Sequence, residues 1–185
     1  LPAGGGHGIR DDLCAEAIRL ARVLRTLMPD EPEVAGLLAL MLLTDARRPA
    51  RLDAGGALVT LGAQDRTLWD REKIAEGHAL VRECLQHDRP GHYQLLAAVN
   101  AVHTDAATAS ATDWGQVLAL YDQLLAITPT PVVALNRAVA LAEVADELGL
   151  TVVLLGTPAE EAGGGKVLML DAGVFDDIAA TVMLH

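Results

Sequence analysis

The chain has 185 residues, a formal net charge of -11, 51% hydrophobic residues and only 3% aromatic ones. That length holds one ordinary domain, or one domain with a fragment of another, and excludes two of full size. The charge argues against a general nucleic-acid surface, which draws on clustered Lys and Arg, and the shortage of aromatics calls for a Leu, Val and Ala core of the kind that favours helices.

Leu13, Ala17, Leu20, Leu24 and Leu27 recur at alternating steps of four and three and predict one amphipathic helix. Pro29 stops it. Asp30 and Glu33 resemble a capping box, and Val34, Leu37, Leu38, Met41 and Leu42 supply the apolar face of a second helix. The run 37–43 is too short to span a bilayer, and no signal peptide opens the chain, so a cytoplasmic, membrane-free location is expected. Cys14 and Cys84 fall in helical apolar patterns and read as buried thiols rather than a disulfide.

Between positions 47 and 65 the period disappears. Pro49, Gly55, Gly56 and Gly62 interrupt Leu58-Val59-Thr60-Leu61, which has room only for a short strand or an extended loop. Helical pattern resumes through Trp69, Ile74, Leu80, Val81 and Leu85, breaks at Pro90-Gly91, and resumes through Leu95, Leu96, Val99 and Val102 before a small-residue loop at 104–111. Trp114, Val117, Leu118, Tyr121, Leu124 and Leu125 form the next stripe, and Thr130-Pro131 reads as N-cap and first-turn proline of a further helix. Residues 113–147 thus make a repeat-sized unit of about 34 residues, the length of a tetratricopeptide hairpin.

After Gly149 the pattern changes. Leu150-Thr151-Val152-Val153-Leu154-Leu155 is a continuous aliphatic and β-branched run, as in a strand buried on both faces, and 166–170 and 179–184 suit a short helix and a second strand. The fold class expected is therefore mainly α, antiparallel tetratricopeptide-like hairpins followed by a short β-α-β fragment. The domains expected are an arm at 1–8, a helical domain at 9–146 and a partial α/β segment at 147–185. A chain that opens without Met and closes at His185 reads as a fragment.

Among the polar residues, Arg47, Arg48 and Arg51 offer a docking patch, or else a solvated helix end that neutralises exposed carbonyls. Gln64, Asp65, Arg66 and Trp69 offer a partner-binding element, since Arg and Trp are frequent hot-spot residues, or else Trp69 anchors the irregular loop onto the helices. His78, His87, His92 and His103 share no metal-like spacing. The pair Glu160-Glu161 follows the buried run, with His185 downstream.

Many separated polar positions carry a resemblance over the helical part. They include Asp12-Leu13-Cys14-Ala15-Glu16-Ala17, Pro29-Asp30-Glu31-Pro32-Glu33-Val34, Thr44-Asp45-Ala46-Arg47-Arg48-Pro49-Ala50-Arg51, Gln64-Asp65-Arg66, Trp69-Asp70, Tyr93-Gln94-Leu95, Asp113-Trp114, Leu120-Tyr121-Asp122 and Asn136-Arg137-Ala138-Val139-Ala140. Residues 9–144 resemble the tetratricopeptide-like C-terminal extension of extracytoplasmic-function sigma factors. The resemblance implies a non-enzymatic, cofactor-free regulatory module of transcription initiation. Its implied partners are sigma-factor promoter-binding regions, which are not among these residues, or RNA polymerase, with no direct nucleic-acid contact.

The tail resembles a different family. Over 141–185, Gly156-Thr157-Pro158-Ala159-Glu160-Glu161, Gly163-Gly164-Gly165-Lys166, Gly173-Val174-Phe175-Asp176 and Met183-Leu184-His185 resemble zinc-dependent aminoacylase and carboxypeptidase-type amidohydrolases. That resemblance implies Glu160 as general base and Glu161 and His185 as zinc ligands, because a zinc-bound water ionises near pH 7 and a neighbouring carboxylate takes its proton. The upstream Cys or Asp and His ligands of that family have no counterpart here beyond a faint echo in Gly6-His7-Gly8. The two patterns join within 141–146, where an Ala-rich helix suits both.

Overall fold

The computed structural model describes residues 11–145 and Gly149. The expected N-terminal arm, the β-α-β fragment and Glu160, Glu161 and His185 lie outside the described residues. Those described contain six α-helices: α1 (Asp11–Leu27), α2 (Pro32–Asp45), α3 (Arg71–Leu85), α4 (His92–Asp105), α5 (Trp114–Ile127) and α6 (Pro131–Glu143). Each packs on its successor, and α2 also packs on α4, so three helical pairs stack in chain order. The mainly α expectation holds for this region.

The centre of the stack follows from composition. α2 is apolar almost all round and is accordingly buried on several sides, from Val34 and Ala35 through Leu38 and Ala39 to Leu42 and Leu43. Ile18 and Ala21 of α1 pack on Leu38 and Leu42, with Met41 and Leu80 against them. At the other end Leu95 of α4 meets Leu124 of α5 and Val133 of α6, and Val99, Val117 and Ala140 repeat the arrangement one layer on. Trp114 and Tyr121 pack half-buried against these clusters.

Several starts are written locally. Asp70 accepts from the N–H groups of Glu72 and Lys73, Asp113 from that of Gln116, and Thr130 caps α6 ahead of Pro131. Two local readings change. α2 begins after Glu31, which makes no side-chain cap, and Glu33 turns away from its own helix to cap α4. The stripe Leu13, Leu20, Leu24 and Leu27 faces outward, between 37% and 73% exposed, while Ile18 and Ala21 face the core. Periodicity shows that a helix face is apolar; it does not say which of two apolar faces the neighbouring helix takes.

The segment between α2 and α3 has no strand. A lone antiparallel bridge joins Leu52 to Leu58 around a turn held by Asp53, whose carboxylate accepts from the N–H groups of Gly55 and Ala57. Short 3-10 turns follow at Leu61–Ala63 and Arg66–Leu68. Leu58 itself is exposed, which removes the apolar burial a strand would need.

Candidate protein-interaction site

The irregular segment is fixed to the helices by the same residues that the sequence singles out. Trp69 is 3% exposed and packs with Ala46, Ala50, Ile74 and Leu61, so it anchors the segment on the end of α2. Its indole Nε1 has no hydrogen-bond partner among the described residues, so apolar contact holds the ring. Arg66 lies over the Trp69 ring at 4.6 Å and donates from Nη1 to the carbonyls of His103 and Ala106, at 2.6 and 2.7 Å. The His103 oxygen lies in the last turn of α4, where helical carbonyls lack internal partners, and Ala106 is the extended residue that follows the helix. Gln64 donates to the Val59 carbonyl, and Asp65 accepts from both the N–H and the hydroxyl of Thr67. The Thr67 hydroxyl, then its N–H, holds the Asp65 carboxyl below its usual range.

Arg47 and Arg48 diverge from adjacent positions. Arg47 donates to Asn100 Oδ1 at 2.6 Å and to the Leu43 carbonyl, linking α2 to α4. Burial, reinforced by Arg51 and Arg66, pulls its guanidinium down to about 10. Arg48 turns the other way, 2.9 Å from the buried carboxylate of Asp45, whose second oxygen takes Lys73 at 2.9 Å. The bond to Asp45 is the main cause of a raised Lys73. Arg51 is exposed.

These residues open onto two faces. Arg66 lines a groove of about 880 Å³ with Leu61, His103, Trp114, Val139 and Glu143. Arg48 and Arg51 line a smaller one of about 270 Å³ between α1 and α2, floored by Ala17, Leu40 and Met41. Of the sequence-predicted set, Arg66 thus lines the larger groove and Arg48 and Arg51 the smaller one, while Trp69 is buried with Ala46, Ala50 and Ile74 and lines neither. In the larger groove His103 is buried and meets Trp114 edge to face at 5.2 Å. Burial first, then Arg47 and Arg66, pushes His103 down to about 4, so the ring is neutral at pH 7. Among the described residues no three His, Cys, Asp or Glu side chains cluster as metal ligands.

Sequence reasoning missed Asn100, gave Glu33 a local cap in place of its distant one, and found no role for His103. Glu33 accepts from the N–H groups of Tyr93 and Gln94 and from Gln94 Nε2, at 3.0 to 3.2 Å, and so caps α4 from α2. Gly91 makes room for it: a Cβ there would fall 2.2 Å from Glu33 Oε1. A lone Asn at the middle of an apolar helix was the one available signal for Asn100. Nothing local marks the partners of the other two.

Comparison with known proteins adds the following. Residues 3–85 match the model of a family of unknown function (DUF6596). An uncharacterized protein of Rhizobium meliloti (strain 1021), R00370, is 49% identical over 139 residues, covering 75% of this chain and 33% of that protein. Xaa-Arg dipeptidases of mouse and human are each 29% identical, over 180 and 153 residues, covering 85% and 68% of this chain. Those matches reach well beyond 141–185, further than the tail resemblance alone anticipated. No solved structure matches. The chain spans between about a third and two-fifths of the length of these curated relatives.

Proposed function

We propose that the chain is a regulatory protein-interaction domain of a sigma-factor-like transcription initiation protein, acting on promoter-binding regions or on RNA polymerase. One observation carries the reading. The motif residues Glu33, Arg47, Arg66, Trp69, Asp70 and Asp113 serve as clips and caps between stacked helical hairpins, the use expected of a scaffold that presents surfaces. Arg51, exposed beside the α1–α2 groove, and Arg66, in the larger groove, supply cationic contact points on a chain of net charge -11.

The test is a titration of the labelled chain with purified RNA polymerase core and, separately, with the cognate promoter-binding regions. A micromolar or tighter complex with either, weakened at least threefold by Arg51→Glu, is expected. Absence of binding to both removes the reading.

A second reading rests on the dipeptidase-named relatives, and makes the chain part of a zinc-dependent amidohydrolase with Glu160 as base and Glu161 and His185 as ligands. Zinc would supply an ionised water there. Stoichiometric zinc uptake, with hydrolysis of N-acyl amino acids lost in Glu160→Gln, would favour it over the first.

A further inference from the structure

Positive charge at the larger groove is left unneutralised. Arg19, Arg22, Arg25, Arg48, Lys73 and Arg137 each lie beside a carboxylate. Among the described residues Arg47 and Arg66 do not, although the chain has a net charge of -11. Their acceptors are neutral: the Asn100 amide and the Leu43 carbonyl for Arg47, the His103 and Ala106 carbonyls for Arg66. Both guanidiniums nonetheless act on His103, which lines the groove with Arg66.

Arg66 is held so that one edge stays open. Its Nη1 is spent on two carbonyls and its plane rests on the Trp69 ring, whereas Nε and Nη2 make no hydrogen bond among the described residues. Nε with Nη2 is the edge through which Arg19 grips Glu16 and Arg22 grips Glu76, two nitrogens to two oxygens. His103 is the second unused group. It is 9% exposed, meets Trp114 only through ring contact, and has no hydrogen-bond partner on either ring nitrogen among the described residues. Kept neutral by burial, it offers one donor and one acceptor. Leu61, Trp114 and Val139 give the same groove an apolar wall, and its volume of about 880 Å³ falls within the roughly 300–1,000 Å³ of small-molecule sites.

We propose that this groove binds a small monocarboxylate with an apolar body, its carboxylate on the Nε and Nη2 edge of Arg66, with His103 donating a further hydrogen bond and the body lying along Leu61, Trp114 and Val139. One negative charge fits better than two. Asp113 and Glu143 also line the groove; Asp113 is occupied by the Gln116 N–H, but Glu143 is exposed and repels a phosphate dianion more than a carboxylate. The inference rests on neither the sigma-factor nor the amidohydrolase reading.

The chain has two tryptophans, so its amide-correlation NMR spectrum carries two indole signals, told apart by Trp114→Phe. Octanoate added to the whole chain should move the Trp114 signal saturably, with a Kd of about 1 mM or tighter. Octanamide, the same body without the charge, should bind about tenfold more weakly or worse. Arg66→Lys keeps the charge but loses the two-nitrogen edge, and in folded protein should weaken octanoate about tenfold. Val139→Glu, at an exposed position of the wall, should keep wild-type helicity and abolish binding. Glu143→Gln removes a like charge and should tighten octanoate about two- to fivefold while leaving octanamide unchanged, a split that a merely structural role would not give. A Trp114 signal that octanoate leaves still, as when another part of the chain fills the groove, overturns the proposal. So do equal affinities for octanoate and octanamide, tighter binding of inorganic phosphate than of octanoate, or an octanoate affinity that neither Arg66→Lys nor Val139→Glu alters.

Discussion

Gly36 offers the sharpest test of the packing between α2 and α4. A Cβ at that position would lie 2.7 Å from both Cγ and the backbone nitrogen of Gln94, and 2.9 Å from its Cα. Carbon contacts are comfortable at about 3.5–4.0 Å, so Gly36→Ala must push the two helices apart by up to about 1 Å. Gln94 cannot simply step aside, because Glu33 holds its N–H and its side-chain amide while the Arg89 carbonyl takes the same amide. Overpacking costs about 1–3 kcal/mol, and with two backbone atoms of Gln94 in the way the cost falls at about 2–3 kcal/mol; replacing a mid-helix glycine returns about 1 kcal/mol, leaving a net loss of about 1–2 kcal/mol. Gly115 is the control. Its nearest neighbour is Asp113 Oδ1 at 3.4 Å, so Gly115→Ala meets no backbone and gains up to about 1 kcal/mol from propensity alone. Urea unfolding of the two variants should move the midpoint in opposite directions at constant slope. A Gly36→Ala protein as stable as the wild type would refute the close approach and the geometry built on it.

Other outcomes follow from the clips. Glu33→Ala strips three hydrogen bonds from the start of α4 and should cost about 2 kcal/mol, while Glu33→Gln, which keeps an acceptor, should lose less than half of that; equal losses in thermal melts would mean that the cap contributes nothing. Arg66→Lys cannot reproduce the planar contact over Trp69 together with the reach to two carbonyls, and should cost about 1–2 kcal/mol; a silent substitution would show the guanidinium to be idle. His103 links stability to pH. Its folded value, about 4, lies below the ordinary 6.5, so the neutral ring is no burden above pH 6.5, and the unfolded chain alone takes up a proton as pH falls from 6.5 towards 4. The wild type should lose about 3 kcal/mol across that window from this group, and His103→Gln should flatten the profile by that amount; parallel profiles would contradict the burial argument.

What the sequence revealed and what it concealed divide by range. Asp113 and Thr130-Pro131 announce α5 and α6 because an N-cap is a contact over three residues. The apolar surround of α2 likewise announces a central helix. Glu33 defeats the same logic: its spacing from Asp30 imitates a local cap, but the N–H groups it satisfies lie 60 and 61 residues away. The stripe on α1 is legible as a stripe and misleading as a core, since Ile18 and Ala21 give a second, narrower apolar face that the neighbouring helices use. In the candidate site the residues stand out in the sequence, but the way they are grouped in space does not. Only the fold reveals that Arg47 reaches Asn100 while its neighbour Arg48 reaches Asp45 on the opposite side.

Those long clips bear on how the chain comes apart. Glu33 to Gln94, Arg47 to Asn100, and Arg66 to His103 and Ala106 tie positions 37 to 61 residues distant, all between α2 and the end of α4. A stack of hairpins held by neighbour contacts alone can open one unit at a time, but a hairpin fastened across its neighbours cannot. Amide hydrogen exchange should therefore resolve two cooperative blocks: α2 to α4 opening together and last, and α5 with α6, joined to α4 mainly through apolar clusters, opening earlier as a separate foldon.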